Sequence, residues 1–489
     1  MSPNDAAAPD LQEEFREDFR EEFNEESFFS EEPPGQPAPP APVGEKLSVA
    51  VIALGGLAFV LCLLGTPLTG TWLGLLASFG LMSAGTVALF WFRYRDTTPG
   101  IKHNGIFFGT ATYRGSIAWG LGVFLTGFYV VLYLYERFEA WGLPVLDRAI
   151  RMLDPLARAL AGGPADRWFL YGFLYTLAVL VFGVRMFLKY RHNRYHLVRT
   201  ASVMFFQLGF AFVIPNLLKL FKEPEFYFSY FWPLKWQYLW PGDVNSLLES
   251  PGRLGVFMVF WGAVMSLVAV PVLTYFYGKR WYCSWVCGCG GLAETLGDPW
   301  RQLSDKSTGA WKVERWLIHG VLVFITLTTL LLWINSATEG AVLGGASQTF
   351  ADFYGLYIGA IFAGVIGVGF YPLMGSRVWC RFGCPQAAIL GLFQRFFSRF
   401  RITTNGGQCM SCGNCSTYCE MGIDVRAYAQ RSANIVRASC VGCGVCAAVC
   451  PRGVLRLENG GSHGDRFPRS DQPLQAFLND LQGPSLHRD

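Results

Sequence analysis

Residues 409–419 read CMSCGNCSTYC, and residues 440–451 read CVGCGVCAAVCP. Each run spaces four cysteines as Cys-x2-Cys-x2-Cys-x3-Cys, and twenty residues separate the two runs. This spacing is typical of thiolates that ligate a pair of [4Fe–4S] clusters. Zinc sites usually pair two short Cys-x2-Cys arms instead, so duplicated four-cysteine runs favour iron–sulfur ligation.

Three closely spaced thiolates bind three corners of a cubane, and the fourth cysteine of each run reaches the other cluster. We therefore predict two ligand sets: Cys409, Cys412, Cys415 and Cys450 for the first cluster, and Cys440, Cys443, Cys446 and Cys419 for the second. Glu420 stands where proline often follows the fourth cysteine. Residues 401–458 are predicted to form a bacterial-type 2[4Fe–4S] ferredoxin domain, a small α+β module.

The rest of the 489-residue chain is apolar, with 52% hydrophobic and only 16% charged residues. Soluble proteins carry about 25% charged residues, so a large soluble globule is excluded. Eight apolar runs have the roughly 20 residues that a spanning helix needs. They lie at about 47–65, 72–92, 117–135, 168–188, 200–220, 254–277, 316–334 and 355–374. The sequence therefore predicts an α-helical polytopic membrane domain over residues 46–400.

The two ends of the chain differ from this domain in composition. Residues 1–44 contain twelve acids and two arginines, and a proline-rich stretch follows the acidic run. We predict disordered tails over residues 1–45 and 459–489. Leu11, Phe15, Phe19 and Phe23 recur every four residues among the acids. This pattern is compatible with a transient amphipathic helix that binds a partner protein, although a solvated tail is the simpler interpretation.

Basic residues collect after the even-numbered spans: Arg93, Arg95, Lys102, Arg114, Arg185, Lys189, Arg191, Arg194, Arg199, Lys279, Arg280, Arg377 and Arg381. We interpret them as membrane-flanking charges rather than as a nucleic-acid surface. The positive-inside rule then predicts an inner-membrane protein with both termini in the cytoplasm. Thirteen of the fourteen cysteines lie after residue 282, and this topology puts them on the reducing side.

Two further cysteine motifs follow the sixth and eighth spans. Residues 280–289 read RWYCSWVCGC and residues 377–385 read RVWCRFGCP, so each has a basic residue, an aromatic residue and Cys-x3-Cys. We interpret them as a degenerate internal repeat, with each pair of cysteines on one helix face. Cys283, Cys287, Cys380 and Cys384 could together form a further iron–sulfur or other metal centre, a redox-active thiol site, or simply small buried positions. Cys289 has no assigned role, and Cys62 is predicted to be a packed apolar residue.

With these motifs, residues 250–457 resemble the NosR/NapH/YccM group of membrane polyferredoxins. The segment from Cys380 to Pro385 fits the family motif, whereas Cys287 is followed by Gly288. The resemblance implies electron exchange between the cytoplasmic clusters and the quinone pool, a partner reductase or its maturation system. It does not cover the first four or five spans.

Other cofactors have weaker signals. Ser347 and Thr349 lie in a stretch similar to the flavin-attachment motif of NosR-like proteins, but a Gly/Ser turn explains it better. His319, His192 and His196 are the histidines near span ends, and headgroup contact is the expected role of the last two. We therefore expect neither haem nor flavin. Gln207, Pro215 and Asn216 interrupt the fifth span, where a quinone site or ordinary interhelical hydrogen bonding would both explain them.

The sequence thus predicts a membrane iron–sulfur electron carrier that contacts lipid and a partner oxidoreductase subunit, with quinone or quinol as a candidate partner. No nucleophile–base pair indicates a self-contained enzyme, so an electron-transfer component of an oxidoreductase system is expected. One alternative is a maturation factor that supplies electrons or copper to a partner metalloenzyme. Another is a redox sensor whose acidic tail binds a regulator.

Overall fold

The computed structural model describes residues 43–95, 99–100, 114–136 and 144–459. Among them, eight helices are long and apolar enough to cross a membrane. They are α1 (Val43–Leu63), α2 (Trp72–Tyr94), α3 (Ser116–Tyr133), α4 (Arg167–Lys189), α5 (Arg194–Leu220), α6 (Leu254–Tyr277), α7 (Thr308–Ala337) and α8 (Ala346–Gly369). The expected eight-span membrane fold is confirmed. Residues 1–42 and 460–489, which hold nearly all of the two predicted tails, lie outside the described residues.

Two helices begin earlier than the sequence indicates. Helix α1 begins at Val43, four residues before the start of the first predicted apolar run. Its first turn is held to the end of α2 by an ion pair of 2.9 Å between Glu45 and Arg93. Helix α7 begins at Thr308 rather than near 316, because the Ser307 hydroxyl accepts a hydrogen bond from the Ala310 amide at 3.1 Å. Such N-cap bonds satisfy one of the free amides of a first helical turn.

Shorter elements connect the spans and complete the chain. The connecting helices are Pro144–Arg151, Asp154–Ala161, Trp236–Leu239, Pro241–Glu249, Arg280–Cys283, Gly288–Glu294, Asp298–Leu303, Tyr371–Met374 and Trp379–Gly383. After the last span come α9 (Pro385–Phe396), β1 (Arg401–Thr404), a turn at Gly406–Gln408, α10 (Asn414–Thr417), α11 (Val425–Gln430), α12 (Val445–Ala448) and β2 (Leu455–Glu458).

The C-terminal module is closed by its two strands. Strands β1 and β2 pair antiparallel, with Arg401 opposite Glu458, and Ile402 also bridges to Ile435. The apolar core of the module is continuous with that of the membrane domain, since Ile402 and Leu390 belong to one buried cluster. The module is therefore packed against the membrane domain.

Polar contacts join the ends of several helices to each other and to the C-terminal module on one face of the helical bundle. The start of α1 meets the end of α2, and the end of α2 in turn accepts a hydrogen bond of 2.7 Å from Arg191, just beyond α4. Tyr195, in the first turn of α5, donates a hydrogen bond of 2.7 Å to the Gly442 carbonyl of the C-terminal module. The beginning of the described chain and the ferredoxin module consequently lie on the same face.

Candidate iron–sulfur sites

The two C-terminal cysteine runs surround two separate cavities. The first three cysteines of the first run and the last cysteine of the second run line one cavity: Cys409, Cys412, Cys415 and Cys450. The first three cysteines of the second run and the last cysteine of the first run line the other: Cys440, Cys443, Cys446 and Cys419. The unfilled space is about 360 Å³ in the first and about 380 Å³ in the second, including a part open to solvent. Each cavity therefore presents four thiols in the crossed arrangement that the spacing predicts.

The two halves of the module repeat each other at an offset of 31 residues, from Cys409 to Cys440. Short helices α10 and α12 each begin after a glycine with positive φ, at Gly413 and Gly444. The Ile423 amide lies 3.4 Å from the Cys419 sulfur, and the Val454 amide lies 3.3 Å from the Cys450 sulfur. Because backbone N–H groups aimed at sulfur stabilise the thiolate ligands of a cluster, these residues fit two [4Fe–4S] clusters.

The Cys-x3-Cys motifs do not lie on one continuous helix, so the expected placement of each pair on successive turns is wrong. Cys283 ends one helical turn, whereas Cys287 has extended backbone and precedes the next helix. Cys384 likewise has extended backbone and precedes α9. The chain breaks there because the second cysteine acts as an N-cap: the Cys384 sulfur accepts a hydrogen bond from the Ala387 amide at 3.4 Å. Burial raises the pKa of the Cys384 thiol well above its usual value, and the hydrogen bond from the Ala387 amide only partly opposes this shift.

The two membrane-edge motifs are equivalent at an offset of 97 residues, from Cys283 to Cys380. Gly278 and Gly375 each end the preceding helix with positive φ, two residues before the arginine that opens each motif. The second motif also contains a wide helical turn at Trp379–Gly383. Wide π-type turns inside helices are frequent at functional sites. The internal repeat indicated by the sequence is thus present in the backbone geometry.

The four thiols of these motifs are buried together. Cys283, Cys287, Cys380 and Cys384 are each at most 6% exposed, and Cys283, Cys287 and Cys384 belong to one buried cluster. Arg377 joins the two motifs, because its Nη1 lies 3.7 Å from the Cys380 sulfur and 3.3 Å from the Cys283 carbonyl oxygen. A Cβ at Gly290 would lie 1.9 Å from that carbonyl oxygen, so only glycine permits this approach. We call Cys283, Cys287, Cys380 and Cys384 the thiol quartet. Cys289 lies beside it and donates a hydrogen bond to Cys287.

The thiol quartet is adjacent to the second cavity of the ferredoxin module. The Ser284 hydroxyl, next to Cys283, donates a hydrogen bond of 2.8 Å to the Val441 carbonyl, next to Cys440. The first cavity is on the outer side of the module, where Cys412 is exposed. In the described part of the chain, no three His, Cys, Asp or Glu side chains are grouped to hold a single metal ion.

A buried network of charges joins the membrane domain to the ferredoxin module. Its cations are Arg185, Lys189, Arg199, Arg301 and Arg377, and its carboxylates are Glu294, Asp298 and Glu420. All eight side chains are at most 3% exposed. Arg185, Lys189, Arg199, Arg377 and Arg381 lie near the ends of the spans, but their side chains are buried rather than exposed to lipid headgroups or water. Their positive charge is balanced by buried carboxylates far away in sequence.

Two carboxylates organise this network. Asp298 pairs with Arg185, Lys189 and Arg301 at 2.5 to 2.9 Å. Burial tends to raise the pKa of Asp298, but the positive charges of these three partners outweigh it and hold the pKa well below its usual value. Glu420, at the position where proline is frequent, accepts a hydrogen bond of 3.0 Å from Arg377. This departure from the ferredoxin pattern anchors the module to the membrane domain.

Some of the remaining candidate residues from the sequence have a packing role in the structure, and the structure assigns no role to the others. Cys62 is fully buried in an apolar cluster. His192 is exposed, but His196 is buried and stacks on Tyr190 with ring centroids 4.4 Å apart, so headgroup contact is wrong for His196. Ser347 and Thr349 lie in the first turn of α8, and His319 is half-buried in α7. In α5, Gln207 donates a hydrogen bond to Thr176 of α4, and Pro215 and Asn216 are buried.

Comparison with known protein families identifies three matching segments. A 4Fe-4S dicluster domain matches residues 408–455. A 4Fe-4S binding domain matches residues 259–307 and, a second time, residues 356–403. The first match contains the eight cysteines of the ferredoxin module, and the two others contain the membrane-edge motifs. Both levels of repetition described above therefore fall within iron–sulfur-binding families.

Two curated proteins are similar to part of the chain. A putative electron transport protein of Escherichia coli K12, YccM, is 30% identical over 205 residues, which are 38% of this chain and 56% of YccM. The methylamine utilization ferredoxin-type protein MauN of Paracoccus denitrificans is 28% identical over 169 residues, or 32% of this chain and 55% of MauN. The chain thus spans little more than half the length of these relatives, and no solved structure matches it. With its eight helices of spanning length, its three iron–sulfur family matches and these relatives, the chain is similar to membrane polyferredoxin-type electron transport proteins, and the matches support two [4Fe–4S] clusters in its C-terminal domain.

Proposed function

We propose that the protein transfers electrons between quinone in the membrane and a partner oxidoreductase at the exposed side of the ferredoxin module. The hydrogen bond between Ser284 and Val441 carries this proposal, because it brings the thiol quartet next to the second ferredoxin cavity. Each [4Fe–4S] cluster, when bound, accepts and releases one electron. The crossed sets of cysteines are the ligands that we infer for the two clusters, and the chain supplies their spacing and their hydrogen bonds.

A cavity on the membrane side of the thiol quartet is suited to the quinone. It has about 980 Å³ of unfilled space, including a part open to the surroundings, between α7, α8 and the second membrane-edge motif. Its apolar lining comprises Val313, Leu317, Phe362, Ile366, Met374, Val378 and Phe382. Leu317 and Met374 are also exposed on the outside of the bundle. A lipid-soluble molecule can therefore enter this quinone cavity from the bilayer.

The polar end of the quinone cavity offers hydrogen-bond donors. Arg377 and Arg381 both line it, and both are nearly fully buried. The Arg377 Nε and the Arg381 Nη2 have no hydrogen-bond acceptor among the described residues. Buried N–H groups without acceptors are costly, and the carbonyl oxygens of a quinone would satisfy them. Cys380 lies between these two arginines in sequence, so a molecule bound here is close to the thiol quartet.

The number of electrons in this exchange balances when two one-electron carriers take part. Oxidation of one quinol to quinone releases two electrons and two protons, and reduction of quinone consumes the same numbers. The two protons are exchanged with water at the mouth of the cavity, where Asp305 and Arg114 are exposed. The side chains of Arg377 and Arg381 stay charged and orient the headgroup.

Replacement of Met374 by Trp tests the quinone cavity. The larger ring at the cavity mouth should lower the initial rate of cluster reduction by a short-chain quinol at least about tenfold, while dithionite reduction stays complete. Cluster reduction is followed anaerobically by the bleaching of visible absorption. The matched control is Val323→Trp, an exposed position of α7 outside this cavity. A normal rate in Met374→Trp would reject this cavity, whereas failure of the wild-type protein to react with quinol would reject the proposed function.

We further propose that the thiol quartet binds a third redox centre. The double variant Cys283→Ser/Cys380→Ser should lose one iron-dependent electron paramagnetic resonance signal and keep the two signals of the ferredoxin module. Cys62→Ser, in the apolar cluster around α1, is the control. If the double variant instead keeps all iron signals but loses anaerobically bound Cu(I), copper handling for a partner enzyme becomes the better interpretation, because soft thiolates select Cu(I).

The location proposed for this multi-pass protein is the bacterial inner membrane, with the ferredoxin module in the cytoplasm. Many of the arginines that follow the even-numbered spans are buried and do not count toward the positive-inside rule. The exposed basic residues on this face support the proposed orientation. Examples are Arg191 and Arg194. Protease accessibility of a C-terminal tag in spheroplasts tests this topology: the tag should be cleaved only after the cells are lysed.

A further inference from the structure

A second cavity with quite different chemistry opens on the face that carries the ferredoxin module. It lies between the first turns of α7, helix α9 and the module, and it has about 1760 Å³ of unfilled space, partly open to solvent. We call it the cationic crevice. Its charged lining consists of Lys279, Arg315, Arg381, Arg395, Arg437 and one acid, Glu314. The five positive charges against one negative charge give the crevice a net charge of +4.

Three of these cations have no carboxylate partner. Arg381 is paired with Glu314 at 2.8 Å, and Lys279 donates to the Ala438 carbonyl at 3.2 Å. Within the described residues, no carboxylate pairs with Arg315, Arg395 or Arg437. Arg315 and Arg395 are exposed and Arg437 is half-buried. Their guanidinium groups are therefore available to an anionic ligand.

The crevice also has an aromatic and apolar lining. Arg437 of the ferredoxin module and Arg315 of α7 both lie over the ring of Trp311, at 4.5 Å and 5.3 Å from its centroid. Leu392, Phe396 and Tyr428 line the same space. A ligand that combines carboxylates with aromatic side chains would match both the charged and the apolar parts of this surface.

The amino-terminal segment of the same chain has this chemistry. Residues 10–26 read DLQEEFREDFREEFNEE, with nine acids, two arginines and phenylalanine at positions 15, 19 and 23. We propose that this acidic segment binds in the cationic crevice. Its net charge of −7 complements the +4 of the crevice, and its phenylalanines suit the apolar lining.

The position of the segment permits this contact. The described chain begins at Val43, on the face that also carries the ferredoxin module. Phe23 is twenty residues before Val43, and an extended chain of that length reaches about 70 Å, from roughly 3.3–3.6 Å per residue. Cys380 also lines the crevice.

The test is photo-crosslinking in the full-length protein, reconstituted in nanodiscs, with p-benzoylphenylalanine in place of Phe19. We expect crosslinks within one chain to residues 311–319, 392–396 and 428–439, mapped by mass spectrometry. The charge-reversed variant R315E/R395E/R437E should lower their yield about fivefold or more, because like charges then face each other. The control R431E, an exposed position of the same module outside the crevice, should leave the yield unchanged.

A salt titration gives a readout that does not depend on any substitution in the crevice. The crosslink yield should fall steeply between about 50 mM and 500 mM salt, because screening weakens exposed ion pairs. Crosslinks to lipid, to a second copy or to other parts of the chain would overturn the proposal. So would a yield that is unaffected by salt and by the triple charge reversal. Visible absorption of the clusters verifies that each variant is folded.

Discussion

Cys450→Ser should abolish the cluster that Cys409, Cys412 and Cys415 share, although Cys450 is at least 35 residues away from each of them in sequence. The four line one cavity, while Cys440, Cys443, Cys446 and Cys419 line the other. Iron content should fall from about eight to about four atoms per chain in the ferredoxin module, since each cubane holds four. Anaerobic iron and sulfide analysis with electron paramagnetic resonance measures this directly.

A variant of the other shared cysteine, Cys419, tests the crossed ligand sets from the side of the second cluster. Cys419→Ser should remove the other cluster and keep the one near Cys409. Cys62→Ser, in the apolar core of α1, should keep both clusters. Loss of the Cys440-side cluster alone in Cys450→Ser would contradict the crossed ligand sets, since each run would then hold its own cluster.

Asp298→Asn should destabilise the membrane domain strongly. The change leaves Arg185, Lys189 and Arg301 buried with one carboxylate fewer, and Asp298 itself is fully buried. Removing one partner of a buried ion pair costs about 3–5 kcal/mol. The thermal unfolding midpoint in detergent, followed by tryptophan fluorescence, should therefore fall markedly. Asp352→Asn, an exposed position with the same chemical change, is the control and should unfold like the wild type.

The pH dependence of this effect has a defined direction. The surrounding cations lower the pKa of Asp298 in the folded protein against the opposing effect of burial. A group with a lowered folded pKa stabilises the protein above its unfolded pKa, about 3.9 for Asp, and loses this contribution as the pH falls toward the folded value. Asp298→Asn should therefore still be less stable than the wild type at about pH 5, which lies above the pH range in which Asp298 itself is protonated. A difference that vanished at that pH would show that Asp298 is not ionised in the folded state.

The sequence predicts the framework of this protein because its signals are local. An apolar run of spanning length and a repeated cysteine spacing are each complete within about twenty residues, so α1 to α8 and the two-cluster module could be predicted. The crossed grouping of Cys419 with the second run follows from the same repeated spacing. These features depend on the chain alone and not on distant partners.

The buried ion network could not be predicted, because its members are far apart in sequence. Arg185 and Asp298 are 113 residues apart, and Arg377 and Glu420 belong to different domains. A basic residue at the end of a span has the same sequence pattern whether it faces headgroups or a buried acid. The signal that could have been used was the set of acids Glu294, Asp298 and Glu420 on the predicted positive face.

The 97-residue repeat determines how the thiol quartet is assembled. Each repeat contributes one membrane crossing and two thiols, so neither repeat alone supplies four. One further crossing, α7, returns the chain between the two repeats. The quinone cavity and the cationic crevice both use residues of α7 and of the second repeat. Both cavities are therefore formed where the connecting helix meets that repeat, so a change of position of α7 would alter the two of them together.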